Sequence, residues 1–391
     1  MAVSQSGAVV VTIGVDTHAE GHVAVALDHF GRRLGTCTLP TTETGYAGFL
    51  RWASQLGEID TIGMEGTGSY GAGLSRWLRA RGFTVVEVER PKRQARYGRG
   101  KSDPIDAELA ARAVQAGTAL GQPKTGVGLV EMIRALSVAR RSAVKARTQA
   151  ANQLRALLVT APEPLRHQLR RMSLTELVST VAAFRPTTPL LSPLAATKLA
   201  LKSMAVRHQQ LSAEIEALDS HLADLVARAA PALLAAKGIG IHTAAALLLA
   251  AGDNPERLHS EAAFAHLCGV APIPASSGKT NRHRLNRGGN REANWALYML
   301  VLSRMSWHAP TRAYVARRTA EGLSKPEIIR RLKRFIAREV YRLLLASSVA
   351  PPPQSTAQRA PCSTVRRSSE RGSSFAETGE QSSASLAPEA A

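Results

Sequence analysis

The sequence predicts an α/β domain followed by two helical regions. In residues 8–120, short runs rich in β-branched residues alternate with segments of helical periodicity, which is typical of a sheet with helices on its faces. From 129 to about 230 apolar residues recur every three or four positions, and after 231 glycine and proline separate shorter helical segments. We therefore predict three domains and a disordered tail poor in apolar residues, at residues 1–125, 126–230, 231–348 and 349–391.

Five strands and three helices are predicted in the first domain. The run at 9–16 is almost continuously apolar, which indicates a buried central strand. The other strands are predicted at 22–28, 33–39, 61–65 and 84–89, and the helices at 45–55, 70–80 and 104–115. Three strands joined by short turns, followed by strands and helices in alternation, resemble the order of elements in the ribonuclease H fold.

Four carboxylates stand at the ends of these predicted elements. Asp16 and Glu65 each end a strand, and ligands of open α/β sheets bind beyond the carboxyl ends of the strands. Asp103 and Asp106 are three residues apart at the start of a helix, so they can face the same ion. Hard oxygen ligands suit Mg²⁺ or Mn²⁺. Two such ions would stabilise the attacking and the leaving oxygen of a phosphoryl transfer.

A purely structural interpretation of the helical pair also exists. Asp103 suits the N-cap position before Pro104, and Asp106 suits the first turn of a helix because of the helix dipole. Asp16 could similarly be an ordinary turn residue at a strand end. The four acids together, in strand, strand and helix positions, favour the metal site over these separate explanations.

A glycine pattern beside Glu65 suggests a second kind of enzyme. Residues 66–71 match G-x-G-x-x-G after a strand, and Glu87 and Glu89 follow about 20 residues later, as a dinucleotide-binding site requires. An NAD-binding enzyme would, however, explain neither Asp16 nor the helical pair nor the charge of the chain. The glycines would equally serve a tight turn between strand and helix. The dinucleotide site therefore ranks below the metal site.

The charge of the chain points to nucleic acid. Fifty Lys and Arg against thirty Asp and Glu give 391 residues a net charge of +20 and a pI of about 10.8. The longest apolar stretch, 243–252, is too short to span a bilayer, and no charged segment typical of a signal peptide precedes the first strand. Three scattered cysteines indicate neither a disulfide framework nor a zinc site, and fit a reducing cytoplasm.

Several residues outside the acid cluster are candidates for nucleic-acid contacts. The turn at 237–244 resembles the hairpin of a helix-hairpin-helix element, whose glycines expose backbone N–H groups to a DNA phosphate. A run dense in arginine and lysine follows at 279–291. The candidates are Gly238 and Gly240 in the turn, and Arg93, Arg96, Lys101, Arg284 and Arg287 among the basic residues.

A heptad pattern in the second domain predicts helix pairing. The apolar positions are spaced 3,4,3,4,3,4,3, which is typical of a coiled-coil seam and could join two subunits. His208 lies within this seam and is interpreted as a polar residue that sets the register. The seam consists of Leu201, Met204, His208, Leu211, Ile215, Leu218, Leu222 and Leu225.

Separated motifs in a fixed order identify a known family. The chain resembles the DEDD transposases of the insertion sequence 110 family over roughly residues 8–345. The motifs that carry the resemblance are GVDTH at 14–18, EGTGSYG at 65–71, GKSDPIDAELAAR at 100–112, GIG at 238–240 and CGVAPIPASSGKTNRHRLNRGGN at 268–290.

The resemblance implies a ribonuclease H domain of the RuvC-like type, with Asp16, Glu65, Asp103 and Asp106 as metal ligands. It also implies a helical transposase domain with a nucleophilic serine, which corresponds to Ser277. Ser276 is adjacent, so the assignment could shift by one residue, and spacing alone would single out neither hydroxyl.

For partners, the resemblance implies donor and target DNA, a bridge-type non-coding RNA that selects both, and a homodimer or homotetramer. In such an assembly the acids of one subunit act with the serine of another.

Two alternatives remain open from the sequence. One is a RuvC-like junction endonuclease that uses water and forms no covalent intermediate, and the other is a nucleic-acid-binding protein with a degenerate site.

Overall fold

The computed structural model describes residues 9–88, 102–119, 121–276 and 283–348. A mixed α/β region comes first and a mostly helical region follows. This confirms the predicted order of an α/β part before helical parts. The predicted tail at 349–391 lies outside the described residues. Among the described helices, none combines the length and the apolar composition that a bilayer crossing requires.

The N-terminal region is built on a five-stranded sheet with the order β3-β2-β1-β4-β5. β1 pairs antiparallel with β2 and parallel with β4. The apolar run therefore forms a central strand, as predicted. The strands are β1 Val10–Thr17, β2 Gly21–Leu27, β3 Arg33–Pro40, β4 Glu58–Met64 and β5 Val85–Glu87.

Helices cover both faces of this sheet. The helices are α1 Glu43–Leu56, α2 Ala72–Arg79 and α3 Asp103–Gln115. Val11, Ile13 and Val15 of β1 pack in one core with buried residues of α1 and α2. On the other face, Ala107 and Ala111 of α3 pack against β2. Since side chains alternate along a strand, every second residue of β1 is directed towards α3.

The sheet excludes the dinucleotide-binding interpretation of residues 66–71. A doubly wound dinucleotide-binding fold needs parallel strands on both sides of its first strand, whereas β1, β2 and β3 are antiparallel. The glycines have local reasons instead. Gly66 has a φ of +63°, and a Cβ at Gly71 would lie 2.8 Å from the sulfur of Met64. The pattern thus forms the turn that precedes α2.

Two long helices form an antiparallel hairpin after the sheet. The helices of this region are α4 Leu129–Val159, α5 Glu163–Leu169, α6 Leu174–Ala182 and α7 Pro193–Ala229. The start of α4 and the end of α7 share one core, and the end of α4 and the start of α7 share another with α5 and α6. The seam of α7 therefore has a partner within the chain, in α4. Its predicted role in subunit pairing stays a prediction.

The remaining helices pack around the same core that contains the start of α4 and the end of α7. They are α8 Pro231–Ala235, α9 Ile241–Ala251, α10 Glu261–Leu267, α11 Arg291–Trp307, α12 Ala309–Ala320 and α13 Lys325–Ser348. Between α10 and α11 lie two short antiparallel strands, β6 Ile273–Pro274 and β7 His283–Arg284. Phe264, Leu297 and Val340 are among the fully buried residues of this core.

Hydrogen bonds connect the segment that follows the sheet to the end of α9. Lys124 Nζ donates to the carbonyl oxygen of Leu249. Asp253 Oδ1 accepts from the Val130 amide at 2.9 Å, and Asn254 Nδ2 donates to the Pro123 oxygen at 3.1 Å. Because the last carbonyls of a helix lack intrahelical donors, Lys124 also caps α9. The chain that leaves the sheet is therefore held against the C-terminal core.

Candidate metal centre

The register of the sheet places Asp16 and Glu65 side by side. β1 and β4 are adjacent and parallel, and Val15 is level with Met64, so the next residue of each strand is one of the two acids. Val15 and Met64 belong to the core under α1 and α2. The alternation of side chains therefore directs Asp16 and Glu65 to the other face, which α3 covers. Thr17 Oγ1 donates to the Glu65 carbonyl oxygen at 3.0 Å and ties the two strand ends together.

Small residues allow α3 to lie directly on these two strands. Gly14 and Gly63 are paired in register. A Cβ at Gly14 would overlap the carbonyl oxygen of Ala107 and the amide of Ala111, and one at Gly63 would lie 3.1 Å from the oxygen of Ala110. Close backbone approach of this kind requires glycine. The same approach brings the start of α3 to the strand ends that carry the acids.

The start of α3 differs by one residue from the predicted helix. Asp103 is the first helical residue, and Ser102 occupies the N-cap position. The Ser102 carbonyl oxygen accepts from the amides of Ile105 and Asp106, both at 3.0 Å. The Asp103 side chain is therefore not the N-cap group that the structural interpretation required, and it is available to a ligand at the strand ends.

His18 joins two of the predicted acids. Its Nε2 lies 3.3 Å from Asp16 Oδ2 and 3.5 Å from Asp103 Oδ2. Ligand atoms of Asp16, His18 and Asp103 all lie within 4.8 Å of one another. Ligands of one octahedral Mg²⁺ are about 3 Å apart when adjacent and about 4 Å apart when opposite, since each bond is about 2.1 Å. The three side chains therefore fit one divalent ion after small adjustments.

The electrostatics of the cluster favour a cation. Burial raises the pKa of the Asp16 carboxyl above its usual value; His18 opposes this shift, and Asp106 and Asp103 add to it. Asp106, itself only 5% exposed, is thus close enough to act on Asp16. Crowded carboxylates repel one another unless a positive charge lies among them. A divalent ion would supply that charge.

A second histidine orients the first. His22 is fully buried, and its Nδ1 accepts from the backbone amide of His18 at 3.3 Å. Burial is the main cause that lowers the pKa of His22, which favours the neutral ring that this hydrogen bond needs. The ring stacks on Tyr46 with 6.3 Å between centroids. His22 therefore fixes the turn that carries His18 towards the acids.

The sequence patterns assign no role to either histidine. His18 was part of the GVDTH motif, and a histidine two residues after a strand-ending aspartate is a signal that could have found it. No pattern singled out His22, because its contact with His18 depends on the antiparallel pairing of Thr17 with His22 across β1 and β2.

Other predicted site residues lie elsewhere or outside the described residues. Arg93, Arg96, Lys101 and Ser277 fall outside the described part of the chain. Ser276, Arg284 and Arg287 are exposed in the segments that flank residues 277–282.

The predicted hairpin turn lies between α8 and α9. Gly238, with a φ of +86°, and Gly240 are both exposed there. Arg304 supports this turn through a 3.0 Å hydrogen bond from its Nε to the Lys237 oxygen. α8 has only five residues, so the helix-hairpin-helix assignment stays a prediction.

Comparisons with known proteins agree with the arrangement of these elements. A family model for DEDD transposases of the IS110 type, described as "Transposase", matches residues 13–161. A second model, described as "Transposase IS116/IS110/IS902 family", matches residues 230–316. The first match contains all four acids and the second contains Ser277 and Arg284.

A curated relative carries the same family name. The "Insertion element IS110 uncharacterized 43.6 kDa protein" of Streptomyces coelicolor (strain ATCC BAA-471 / A3(2) / M145) is 31% identical over 137 residues. The alignment covers 34% of this chain and 32% of that protein, so the chain spans about a third of the relative's length. The two family models together match more than half of the chain, in the order that the motifs predicted. The chain belongs to the IS110 family of transposases.

Proposed function

We propose that the protein cuts and rejoins DNA as a transposase, by metal-dependent phosphoryl transfer. The observation that carries this proposal is the convergence of Asp16, His18 and Asp103, with ligand atoms within 4.8 Å of one another, at one end of the sheet. A chain with a net charge of +20 attracts phosphate, so an acidic cluster within it suits a metal that contacts that phosphate. Membership of the family supports DNA as the substrate.

The residues of the cluster would act either as metal ligands or as positioning groups. Asp16 and Asp103 would hold Mg²⁺ or Mn²⁺ with His18 beside them, and Glu65 and Asp106 would complete a four-carboxylate set for a second ion. Bound ions of this kind stabilise the charge that develops on the oxygens of the scissile phosphate. Thr17 and His22 act by position, because they hold the strand end and the turn in place. The strand order β3-β2-β1-β4-β5 supports a ribonuclease H domain of the RuvC-like type.

The nucleophile of the proposed reaction is Ser277. Its hydroxyl would attack the phosphorus, lose its proton, and release a DNA hydroxyl; a second DNA hydroxyl would then attack the phosphoserine and restore a phosphodiester. The number of phosphodiester bonds is conserved, so rejoining needs no external energy source. A serine hydroxyl is a weak nucleophile until a base or metal activates it. Because the family brings acids and serine together from different subunits, the proposal includes a homodimer or homotetramer.

A bridge-type RNA is the proposed guide for donor and target DNA. The excess of twenty positive charges suits binding of structured RNA as well as DNA. Binding of both should fall steeply with added salt, because each phosphate that the protein neutralises releases counterions. An affinity for RNA that is the same at low and moderate salt would contradict this part of the proposal.

The metal site is tested by removing its ligands one at a time. Asp16→Ala and Asp103→Ala should each abolish DNA cleavage and weaken Mn²⁺ binding measured by calorimetry. Asp60→Ala is the matched control, since Asp60 is an exposed acid on β4 and should leave both unchanged. Cleavage that continues in a chelator, or in the Asp16→Ala variant, would contradict the proposal.

The nucleophile is tested by trapping DNA on the protein. With the full-length protein, Ser277→Ala should lose cleavage and the denaturation-resistant adduct, while Ser276→Ala should retain both. Mass spectrometry of the wild-type adduct should place the bond on Ser277. Nicking that persists in Ser277→Ala without any adduct would instead support a junction endonuclease that uses water.

A further inference from the structure

A cavity of about 490 Å³ opens between α13 and the segments on either side of residues 277–282. One wall is the outer face of α13, where positions spaced by three and four residues line up. The other wall consists of the turn after α10 and of β7 with the residues that follow it. The α13 cavity, as we call it, is lined by Gly269, Val270, Ala271, Pro272, His283, Arg284, Leu285, Asn286, Glu327, Arg330, Arg331, Lys333, Arg334 and Phe335.

Positive charge dominates the α13 cavity. Its described lining contains five Arg and Lys side chains and a single carboxylate, that of Glu327. Glu327 is already engaged, because its Oε2 accepts from the amide and the hydroxyl of Ser324 at 3.0 and 2.6 Å. Cations that face a cavity without matching acids repel one another and attract an anion. The charge of the lining therefore favours an anion in the cavity.

One guanidinium of the lining has a buried donor without an acceptor among the described residues. Arg334 Nη2 lies 3.4 Å from Glu261 Oε1. Its Nη1 is buried and has no hydrogen-bond partner within the described parts of the chain. A buried donor without an acceptor is costly, and a ligand oxygen removes that cost. Phosphate oxygens suit the planar fork of an arginine.

An apolar surface lies beside these charges. Phe335 and Leu285 are 49% and 56% exposed, and both line the cavity with Val270 and Pro272. The Phe335 ring meets Tyr314 edge-on with 5.8 Å between centroids, so its position is supported from behind. An exposed, supported aromatic ring beside phosphate-binding arginines is the combination that unpaired nucleotides use for stacking and charge neutralisation.

We propose that the α13 cavity binds one nucleotide of an unpaired nucleic-acid strand. The phosphodiester would contact Arg330, Arg331 and Arg334, and the base would stack on Phe335. The volume is within the range of small-molecule sites and admits a single extruded nucleotide, whereas the backbone of an intact duplex would contact the surface and leave the cavity empty. The inference rests on the proposed function only in that the protein acts on nucleic acid.

The test measures binding of labelled single-stranded oligonucleotides to the full-length protein in chelator, so that cleavage plays no part. Arg330→Ala with Arg331→Ala should weaken binding about tenfold or more. The charge-matched control is Arg228→Ala with Arg342→Ala, whose side chains are exposed outside the cavity and should matter much less. Arg330, Arg331 and Phe335 are all exposed, so these substitutions leave the core intact, which a thermal melt verifies.

Phe335→Ala tests the base. It should weaken binding of an ordinary oligonucleotide about tenfold, and should leave an abasic oligonucleotide of the same length almost unaffected. Oligonucleotides of DNA and of RNA, assayed in parallel, identify which strand the cavity accepts.

Three results would overturn the inference. The first is that the Arg330→Ala, Arg331→Ala variant binds single strands as tightly as the control variant. The second is a Phe335→Ala loss that is equal on abasic and ordinary strands. The third is an equal loss on single strands and on intact duplex. Asp16→Ala should not change binding of single strands in chelator, so failure of the metal site and failure of the α13 cavity give different results.

Discussion

The candidate metal centre and the α13 cavity are assembled in different ways. At the metal centre, backbone geometry does most of the positioning: two parallel strands end in register, and glycines let α3 lie against them. At the α13 cavity, hydrogen bonds from side chains position the walls. Asn294 Nδ2 donates to the Cys268 carbonyl oxygen at 2.9 Å, and Lys333 Nζ donates to Asn294 Oδ1 at 2.9 Å. The metal centre should therefore be sensitive to added volume, and the cavity region to lost polar contacts.

The charges of the two regions also act on stability in opposite directions. Burial raises the pKa of Asp16, so the folded N-terminal region favours its neutral form. On α13, outside the lining of the cavity, hydrogen bonds from Arg304 lower the pKa of Glu339, so the folded protein favours the ionised form there. A carboxyl whose pKa is raised by burial and neighbouring acids is typical of a functional site, whereas one whose pKa a hydrogen-bonded arginine lowers is typical of a structural pair.

The largest expected effect comes from adding one methyl group under α3. Gly14→Ala should lower the free energy of unfolding by about 3 kcal/mol, since the new Cβ would overlap backbone atoms that cannot move independently of the helix. Cleavage should be lost as α3 shifts. Chemical denaturation and a cleavage assay measure the two effects.

Gly48→Ala is the matched control for this comparison. A Cβ at Gly48 would meet nothing within 4 Å, and alanine favours the helix α1 by up to about 1 kcal/mol. It should therefore be neutral or stabilising, with full activity. If Gly14→Ala were as stable as Gly48→Ala, the close packing of α3 against β1 would be refuted.

The next effect concerns an ion pair between α11 and α13, outside the lining of the cavity. Arg304 is buried and donates to both Glu339 oxygens, at 2.7 and 2.8 Å, and to Lys237. Arg304→Met should lower the free energy of unfolding by about 2 kcal/mol, because it leaves the Glu339 carboxylate and the Lys237 carbonyl without their donor. The loss is limited because Glu339 keeps some access to water. Adding Glu339→Leu should restore part of the loss in a double-mutant cycle. Exact additivity of the two substitutions would argue against the pair.

The smallest effect is a gain in stability. Asp16→Asn should stabilise the metal-free protein at neutral pH by about 1 kcal/mol or less, while it abolishes cleavage. Because the pKa of Asp16 is raised on folding, its contribution to stability is largest below the unfolded pKa of 3.8. This contribution is lost as pH rises through the pKa of the folded state. The variant and the wild type should therefore converge in acid, as thermal melts at several pH values would show.

Glu339 should give the opposite pH dependence. Its pKa is lowered, so its stabilising contribution is present above the unfolded value of 4.5 and is lost as pH falls through the folded value. In the Arg304→Met variant this loss in acid should be smaller than in the wild type. A difference between variant and wild type that does not change with pH would show that the ion pair contributes nothing.

The strands and their acids were predictable because local signals agree with the fold. The apolar run of β1 fixed a central strand, and its bounds differ from the prediction by one residue at each end. The G-x-G-x-x-G pattern misleads, because a tight turn and a phosphate-binding loop both need glycine. The heptad seam of α7 is also ambiguous, since a seam specifies that a helix pairs and does not say with which chain.

By itself, the sequence determined the order of strands and helices, the basic character and the family, and it predicted four candidate carboxylates. These follow from periodicity, composition and motifs, which are properties of the linear chain. Only the tertiary structure decided that His18 lies between Asp16 and Asp103. It alone placed Gly14 opposite Ala107 and brought α13 to face β7 across a cavity. Contacts of this kind join residues far apart in sequence, and they depend on packing in three dimensions that no local pattern encodes.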